Sequence, residues 1–299
     1  MPDQPTAAIR PPSRIAFLGL GMMGAPMAVQ LRHAGFAVRG YDPAPDAGAG
    51  LAEAGGTLCA TAAAACEEVA ALILMLPDGR AVEESLLGAG ALAPRLPRGS
   101  LVLDMSSSSP TGTRDLAPRL AEHGIALVDA PVSGGVRRAL DGSLAIMAGG
   151  SEADIARVRP LLEAMGKSIF ATGPVGSAHA MKALNNYVSA AGLLAACEAL
   201  RVGRAFGLDP ALMTDVLNAS TGRNNSTEVK LKPFVISETY ASGFSMALMA
   251  KDLRTADDLA RHLAVPAPLS NAVAALWTRA DEALGKGTDH TAIDRYLKD

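Results

Sequence analysis

Residues 14–42 read RIAFLGLGMMGAPMAVQLRHAGFAVRGYD, and this stretch decides the fold of the first part of the chain. Arg14–Gly19 is a short apolar run that ends in glycine, which predicts a buried strand. A glycine-rich turn and a helix-forming segment follow, and Gly35 ends that helix. A second strand, Ala37–Tyr41, leads to Asp42. The order strand, glycine turn, helix, strand, acid predicts a Rossmann-type α/β unit.

The glycine turn has the spacing that a dinucleotide site requires. Gly19 permits a tight turn, Gly21 lets backbone N–H groups approach a pyrophosphate, and Gly24 lets the helix pack closely on the strand. The helix N-terminus favours the anion. Such a turn alone is a weak signal, but here the strands and the acid flank it. We predict that Gly19, Gly21, Met22, Met23 and Gly24 bind the cofactor.

Asp42 indicates which dinucleotide binds. It follows the turn by about 20 residues, where a carboxylate accepts hydrogen bonds from the adenosine ribose. The same carboxylate repels a 2′-phosphate, and Pro43–Pro45 contains no arginine to bind one. Arg39 is expected to point to the opposite face of its strand. The sequence therefore predicts NAD rather than NADP.

Strand-length apolar runs alternate with helical stretches up to Gly173 and predict a doubly wound, parallel sheet over residues 14–173. The runs are Ala71–Pro77, Ser100–Ser106, Ile125–Pro131, Ser143–Gly149 and Ser168–Ala171, and the clearest helices are Pro110–His123 and Ser151–Met165. Ligands gather beyond the carboxyl ends of such strands. Pro77, Ser107 and Ser133–Gly135 fall there, although the serines could equally be turn and cap residues.

A long helix, Gly176–Phe206, is expected to cross from this domain into a second one. At 1.5 Å per residue it would span roughly 45 Å, several times the usual helix length. Lys182 and Asn186 share one of its faces. The only other elements that the sequence predicts in residues 174–299 are the helices Pro210–Asn218, Lys251–His262 and Ser270–Leu284, so we predict an all-α substrate and dimerisation domain.

The composition of the chain argues against several classes of protein. The 299 residues suit two domains, and a net charge of −3 gives no basic footprint for nucleic acid. Residues 1–13 have no secretory pattern and are expected to form a flexible tail. No apolar run reaches the roughly 20 residues that a bilayer requires. With neither a secretory nor a membrane-spanning pattern, we expect a cytoplasmic protein. Three cysteines and five histidines show no metal-binding spacing, so we expect no metal site.

Five motifs follow one another along the chain. They are FLGLGMMGAPMAVQL at the cofactor turn, DMSSSSP after a strand, DAPVSGG, KALNN on the long helix and FSMALMAKDL at Phe244–Leu253. Together they resemble the β-hydroxyacid dehydrogenases, the family that contains 3-hydroxyisobutyrate dehydrogenase and tartronate semialdehyde reductase. The resemblance implies a catalytic role for Lys182, assisted by Asn186. It also implies that Ser133, Gly134 and Gly135 bind the substrate carboxylate. It places Leu76, Pro77, Ser107 and Lys251 near the cofactor.

The residue types suit hydride transfer to or from a small 3-hydroxy acid. Oxidation of a hydroxyl requires a base for its proton, and a lysine can act near neutral pH when desolvation or a positive neighbour lowers its pKa. Backbone N–H groups at Ser133–Gly135 can form an anion nest. His179, one turn before Lys182, is expected to be a solvated residue near the helix end.

Several alternatives stay open at this level. Ser220–Thr227 (STGRNNST) differs from the aromatic-containing segment of the hydroxyisobutyrate enzymes, so a tartronate semialdehyde or sulfolactaldehyde reductase is an alternative. An imine reductase would generally lack Lys182, and a decarboxylating sugar-phosphate dehydrogenase would have a more basic pocket and a longer helical domain. A non-catalytic dinucleotide-binding module would not need Lys182, Asn186 and the Ser133 loop together. The long Ala- and Leu-rich helix predicts a homodimer or homotetramer through Gly192–Gly203.

Overall fold

A computed structural model describes residues 7–297 in two compact units, the first ending at Lys182 and the second beginning at Ala183. This division falls inside the long helix. The domain boundary at Gly173 stays a prediction.

The first unit contains one nine-stranded sheet. Its strands are β1 (Arg14–Leu18), β2 (Ala37–Tyr41), β3 (Thr57–Leu58), β4 (Ala71–Leu74), β5 (Leu101–Asp104), β6 (Ala126–Asp129), β7 (Val132–Ser133), β8 (Leu144–Gly149) and β9 (Gly166–Gly173). The order β3-β2-β1-β4-β5-β6 is parallel throughout and is the Rossmann order. The strand order reverses between β1 and β4, so a ligand crevice is expected at their carboxyl ends.

Helices cover both faces of this sheet. They are α1 (Gly24–His33), α2 (Ala49–Glu53), α3 (Ala62–Ala65), α4 (Gly79–Leu87), α5 (Pro110–Glu122), α6 (Gly135–Leu140) and α7 (Glu152–Met165). Alternate residues of β1 enter two separate cores, Ile15 and Phe17 packing with α1 and α7, and Ala16 and Leu18 with α4 and α5. This period of two is what a strand buried on both faces requires. The predicted doubly wound α/β fold is confirmed.

Two predictions for the first unit need correction. The sheet is not wholly parallel, because β8 runs antiparallel to β6 and β7. The predicted flexible tail is wrong at Ile9, which is buried in the core and donates its N–H to the carbonyl of Arg157. Residues 1–6 of the predicted tail lie outside the described residues.

The described part of the second unit is helical. The long helix α8 (Ser177–Phe206) begins in the first unit and continues into this one, followed by α9 (Pro210–Ala219), α10 (Asn225–Val229), α11 (Met246–His262), α12 (Pro268–Leu284) and α13 (Ile293–Tyr296). A π-helical turn, Leu231–Ile236, follows α10. The core forms around Trp277, which is fully buried against residues of α8 and α11. Between residues 7 and 297 the chain has no helix with the length and apolar character that a membrane span needs.

Candidate active site

Two of the three glycines of the cofactor turn, Gly19 and Gly24, are required by the backbone around them. Gly19 has a φ of +92°, and a Cβ there would lie 2.2 Å from the carbonyl oxygen of Met75 after β4. A Cβ on Gly24 would lie 1.8 Å from the carbonyl oxygen of Gly19, so only glycine lets α1 begin this close to β1. Among the described residues, nothing lies within 4 Å of a Cβ position at Gly21. The turn therefore offers open space where a pyrophosphate must approach.

Asp42 lies at the carboxyl end of β2 and is tied to this turn. One carboxylate oxygen accepts the N–H of Leu20 at 2.7 Å, and the other accepts the N–H of Ala44 at 2.8 Å. A cavity of about 280 Å³ opens beside it, lined by residues of the β1, β2 and β3 ends that include Leu20, Pro43 and Leu58. Arg39 points elsewhere and donates to the carbonyl of Ala64. These residues fit the adenosine half of NAD and offer no arginine to a 2′-phosphate.

Ser106 links the carboxyl ends of the neighbouring strands β4 and β5. The hydroxyl of Ser106 accepts the N–H of Leu76 at 3.0 Å, and the N–H of Ser106 donates to the carboxylate of Asp104 at 2.9 Å. The loop with Leu76 and the exposed Pro77 is thereby fixed beside the segment that carries the half-buried Ser107. The predicted cofactor residues of β4 and β5 thus lie on adjacent loops.

The predicted carboxylate loop forms the link between β7 and α6. Ser133 is paired with Ala145 of β8, which fixes its backbone. Gly134 and Gly135 follow with φ values of +135° and +67°, and both are exposed. A β-carbon at Gly134 would lie 2.5 Å from the Arg138 side chain. Two successive positive φ values are conformations that glycine adopts without strain.

In the second unit, Asn186 and Lys251 both contact Asp252, a residue for which the sequence predicted no role. The buried Asn186 donates from Nδ2 to an Asp252 oxygen at 2.6 Å. The other Asp252 oxygen lies 3.3 Å from Lys251 Nζ, in an ion pair. On α8, Lys182 is half-buried and lies one turn before Asn186, so spacing places the two on one face.

Comparisons with known proteins agree with this arrangement. A family model described as the NAD binding domain of 6-phosphogluconate dehydrogenase matches residues 14–173. A second, described as NAD-binding of NADP-dependent 3-hydroxyisobutyrate dehydrogenase, matches residues 176–297. The 3-hydroxyisobutyrate dehydrogenase of Pseudomonas aeruginosa is 38% identical over 293 residues, covering 95% of this chain and 98% of that protein. The chain belongs to the β-hydroxyacid dehydrogenase family.

Two further relatives widen the range of named substrates within this β-hydroxyacid dehydrogenase family. The 2-(hydroxymethyl)glutarate dehydrogenase of Eubacterium barkeri is 37% identical, over 92% of this chain and 91% of its own length. The structure of Mycobacterium tuberculosis 3-hydroxyisobutyrate dehydrogenase with L-serine has a TM-score of 0.87 and 35% identity, covering 96% of this chain and 99% of that one. The resemblance and the class of NAD-dependent dehydrogenase acting on small hydroxy acids are confirmed.

One prediction about this β-hydroxyacid dehydrogenase was wrong. His179 is not solvated, because it is 1% exposed and both ring nitrogens have partners. Nε2 donates to the carbonyl of Ser106 at 3.1 Å, and Nδ1 lies 2.8 Å from the hydroxyl of Thr113. Asp104 and Asp129 each place a carboxylate oxygen 3.8 Å from the ring. His179 therefore joins the start of α8 to the ends of β5 and β6.

Asp129 completes this link. Its two oxygens accept the N–H of Gly176 at 2.7 Å and of His179 at 2.9 Å, so it caps the first turn of α8. Burial raises the pKa of Asp129, against the lowering effects of the nearby His179 ring and these N–H groups. Asp129 and Asp252 were both visible in the sequence as acids inside the DAPVSGG and MAKDL motifs. An acid within an apolar motif is a usable signal, since a buried carboxylate needs donors.

Proposed function

We propose that this NAD-dependent dehydrogenase acts on a small 3-hydroxy acid of the 3-hydroxyisobutyrate type, or on the corresponding semialdehyde. The observation that carries the proposal is the contact between α8 and α11. Asp252 of α11, which is itself paired with Lys251, binds Asn186 one turn after Lys182 on α8. The names of the relatives support the substrate class, and L-serine, itself a 3-hydroxy acid, accompanies one of them. L-serine is therefore the second candidate substrate.

In this proposal, the first unit binds the cofactor. Gly19–Gly24 bind the pyrophosphate and Asp42 binds the adenosine ribose, while Leu76, Pro77 and Ser107 contact the nicotinamide end. The cofactor role of Lys251, in the second unit, stays a prediction. Bound NAD accepts or supplies the hydride. The Ser133 hydroxyl and the backbone N–H groups at Gly134 and Gly135 hold the substrate carboxylate, which orients the hydroxyl-bearing carbon.

Lys182 exchanges the proton in this proposal. Its amine takes the hydroxyl proton during oxidation and returns it during reduction. Asn186 has two amide hydrogens, of which one is held by Asp252, so the other can donate to the substrate oxygen. An amide can hold that oxygen without competing for the proton. Asp252 thus positions Asn186, and its ion pair with Lys251 provides the charge partner that a buried carboxylate needs.

Replacement of Lys182 tests this role. Lys182→Ala should lower kcat at least about 10²-fold, the lower end for general acid–base catalysis. Lys182→Arg should not restore it, because a guanidinium stays protonated. NADH affinity should barely change, since Lys182 is not part of the glycine turn. The measurement is NADH absorbance with a panel of 3-hydroxy acids and semialdehydes, over a range of pH.

The exposed Lys167 provides a matched control, and Lys167→Ala should keep wild-type turnover. The wild-type profile for oxidation should rise through one ionisation that is missing from Lys182→Ala. Near-normal kcat in a folded Lys182→Ala enzyme would refute the proton-transfer role.

We also infer that the enzyme is a homo-oligomer, because α8 carries a row of exposed apolar side chains. Val188, Val202 and Phe206 are 67%, 71% and 84% exposed. Gly192 and Gly203 themselves pack against Asn224 and Met213 of the same unit, so the proposed contact face is the exposed row rather than these glycines. A cytoplasmic location stays a prediction.

A further inference from the structure

A second lysine near α8 lies outside the residues that the proposed chemistry uses. Lys230 is the residue after α10, and its side chain is half-buried. Its Nζ donates to the hydroxyl of Ser189 at 3.3 Å. Burial lowers the pKa of Lys230, and the charge of Asp289 opposes that shift. The Lys230 ammonium has therefore lost part of its hydration, and its hydrogen-bond acceptor is the neutral hydroxyl of Ser189.

The groups around Lys230 do not supply a counter-ion. Within residues 7–297, no carboxylate oxygen lies within the 4.0 Å of an ion pair with its Nζ. Asp289 acts on it from farther away, and the oxygens of Asp289 accept hydrogen bonds from Ser242, Gly243 and Thr291. Burial and then the charge of Lys230 lower the pKa of His290 to about 4, so that ring is neutral at pH 7. Buried cations are normally paired, so this one has capacity for an anion.

Lys230 also has a defined position along α8. Its partner Ser189 lies three residues after Asn186 and therefore on the same helix face. One turn advances about 5.4 Å along the axis, so the ammonium is anchored about one turn beyond the amide proposed to hold the reacting oxygen. Lys182 lies one turn before that amide. A single face of α8 thus presents a proton-transfer lysine, an amide and an anchored ammonium in sequence.

Local structure holds Lys230 at this place. Asn224 and Thr227 form a reciprocal capping box at the start of α10. The hydroxyl of Ser226 donates to the carbonyl of Ser189 at 3.5 Å. Because α10 is attached to α8 at the residue whose hydroxyl binds Nζ, the ammonium is positioned before any ligand arrives.

We propose that Lys230 binds a second acidic group of the substrate, so that the preferred 3-hydroxy acids carry a second oxyanion at the end of a short side chain. The inference rests on the proposed function, in which Asn186 holds the reacting oxygen of the substrate. Ser189, whose hydroxyl binds the Lys230 ammonium, lies about one turn from Asn186 on the same helix, so a substrate bound at Asn186 can extend to Lys230. A charge-assisted hydrogen bond in a partly desolvated site favours a dianionic substrate over a monoanion of similar shape.

The test compares kcat/KM for 2-(hydroxymethyl)glutarate, a dianion, with kcat/KM for 3-hydroxyisobutyrate, a monoanion. The wild type should prefer the dianion by about tenfold or more, as a hydrogen bond to a charged group allows. Lys230→Met should lower that preference about tenfold through KM of the dianion, with kcat/KM for the monoanion within about twofold of wild type. Lys230→Arg should keep most of the preference. The exposed Lys232, which pairs with Asp215, gives the control Lys232→Met, which should behave as wild type.

Competitive inhibition of the wild type provides a second measurement that needs no variant to fold. Glutarate should inhibit about tenfold more tightly than butyrate. Equal preference for the two substrates, equal inhibition by the two acids, or an unchanged preference in folded Lys230→Met would each overturn the role of Lys230. A wild type that binds NADH but oxidises neither substrate would instead refute the proposed function.

Discussion

At the scale of single residues, buried or half-buried carboxylates bind the groups to which the proposal assigns the chemistry. Asp42 accepts two backbone N–H groups at the cofactor turn, Asp129 accepts two at the start of α8, and Asp252 binds Asn186 and Lys251. Each of these carboxylates has at least two donors because removing a charge from water is costly unless donors replace the lost hydration. The donors thereby become fixed in position, which is what a site for hydride transfer requires.

The cofactor preference depends on Asp42. Asp42→Ala should lower kcat/KM with NAD about tenfold or more, because a charged hydrogen-bond acceptor for the ribose is lost. Combining it with Ala44→Arg should raise kcat/KM with NADP relative to NAD, since the arginine can bind the 2′-phosphate. The measurement is kcat/KM with each cofactor. Asp46→Ala, an exposed acid on the same loop, should leave the ratio unchanged. A tenfold wild-type preference for NADP would contradict this prediction.

At the scale of elements, periodicity in the sequence predicted the long ones. The helix predicted at Gly176–Phe206 is observed at Ser177–Phe206, and the strand predicted at Ala37–Tyr41 has those bounds. The direction of β8 was wrong because an apolar run has the same pattern in either direction. The helix α10 was missed because it has only five residues, although its Asn224–Thr227 cap was present in the sequence.

Sequence motifs pointed to only some residues of the candidate site, because motifs are local in the chain. Motifs identified residues near one another in the chain, such as the glycine turn and the Lys182–Asn186 pair. The burial of His179 depends on Ser106, Thr113 and Asp129, which approach it only in the folded chain. An acid within an apolar motif signals that donors must approach it, but no local pattern identifies which residues those partners are. Asp252 and Lys230 were missed likewise, since their partners Asn186 and Ser189 lie on another helix.

His290, in the short 3-10 helical turn His290–Ala292, is expected to make the free energy of unfolding depend on pH. Burial lowers the pKa of His290 from 6.5 to about 4, with Lys230 adding to the shift and Asp289 opposing it. The neutral ring therefore contributes stability that is complete above pH 6.5 and is lost as the pH falls toward 4, because the unfolded chain binds the proton first. At 1.36 kcal/mol per pK unit the loss amounts to about 3 kcal/mol.

Urea unfolding at pH 7 and at pH 4.5 should reveal this loss. Trp277 is the only tryptophan, lies in the second unit and stacks on His290, so its fluorescence reports unfolding there. His290→Asn, which cannot titrate, should be less stable at pH 7 but lose less stability between the two pH values. The exposed His33 supplies the control, His33→Asn, with wild-type pH dependence. An equally steep loss in His290→Asn would contradict the assignment.

At the scale of the whole molecule, each unit has a core of its own, yet α8 leaves one row uncovered. The first unit packs two cores around its sheet, and the second packs one around Trp277. Val188, Ala195, Val202 and Phe206 recur every four to seven residues on the solvent side of α8, where all four are exposed. Spacings that are sums of three and four residues place them on one helix face. A continuous apolar row of this kind is a liability in a monomer, and it is the basis of the proposed homo-oligomer.

The covering surface is proposed to be a second copy of the same enzyme, and charge on this row should prevent the assembly. Val202→Glu would bury an unpaired carboxylate at the interface, which costs at least about 2 kcal/mol and would raise the dissociation constant at least about thirtyfold. Light scattering at micromolar concentration should show an oligomer for the wild type and a shift toward monomer for Val202→Glu and Phe206→Glu. Leu263→Glu changes an apolar residue that is 54% exposed at the end of α11, and it should leave the mass unchanged. A wild type that is a stable monomer would refute the assembly, and the same oligomer in all three variants would show that this row is not the interface.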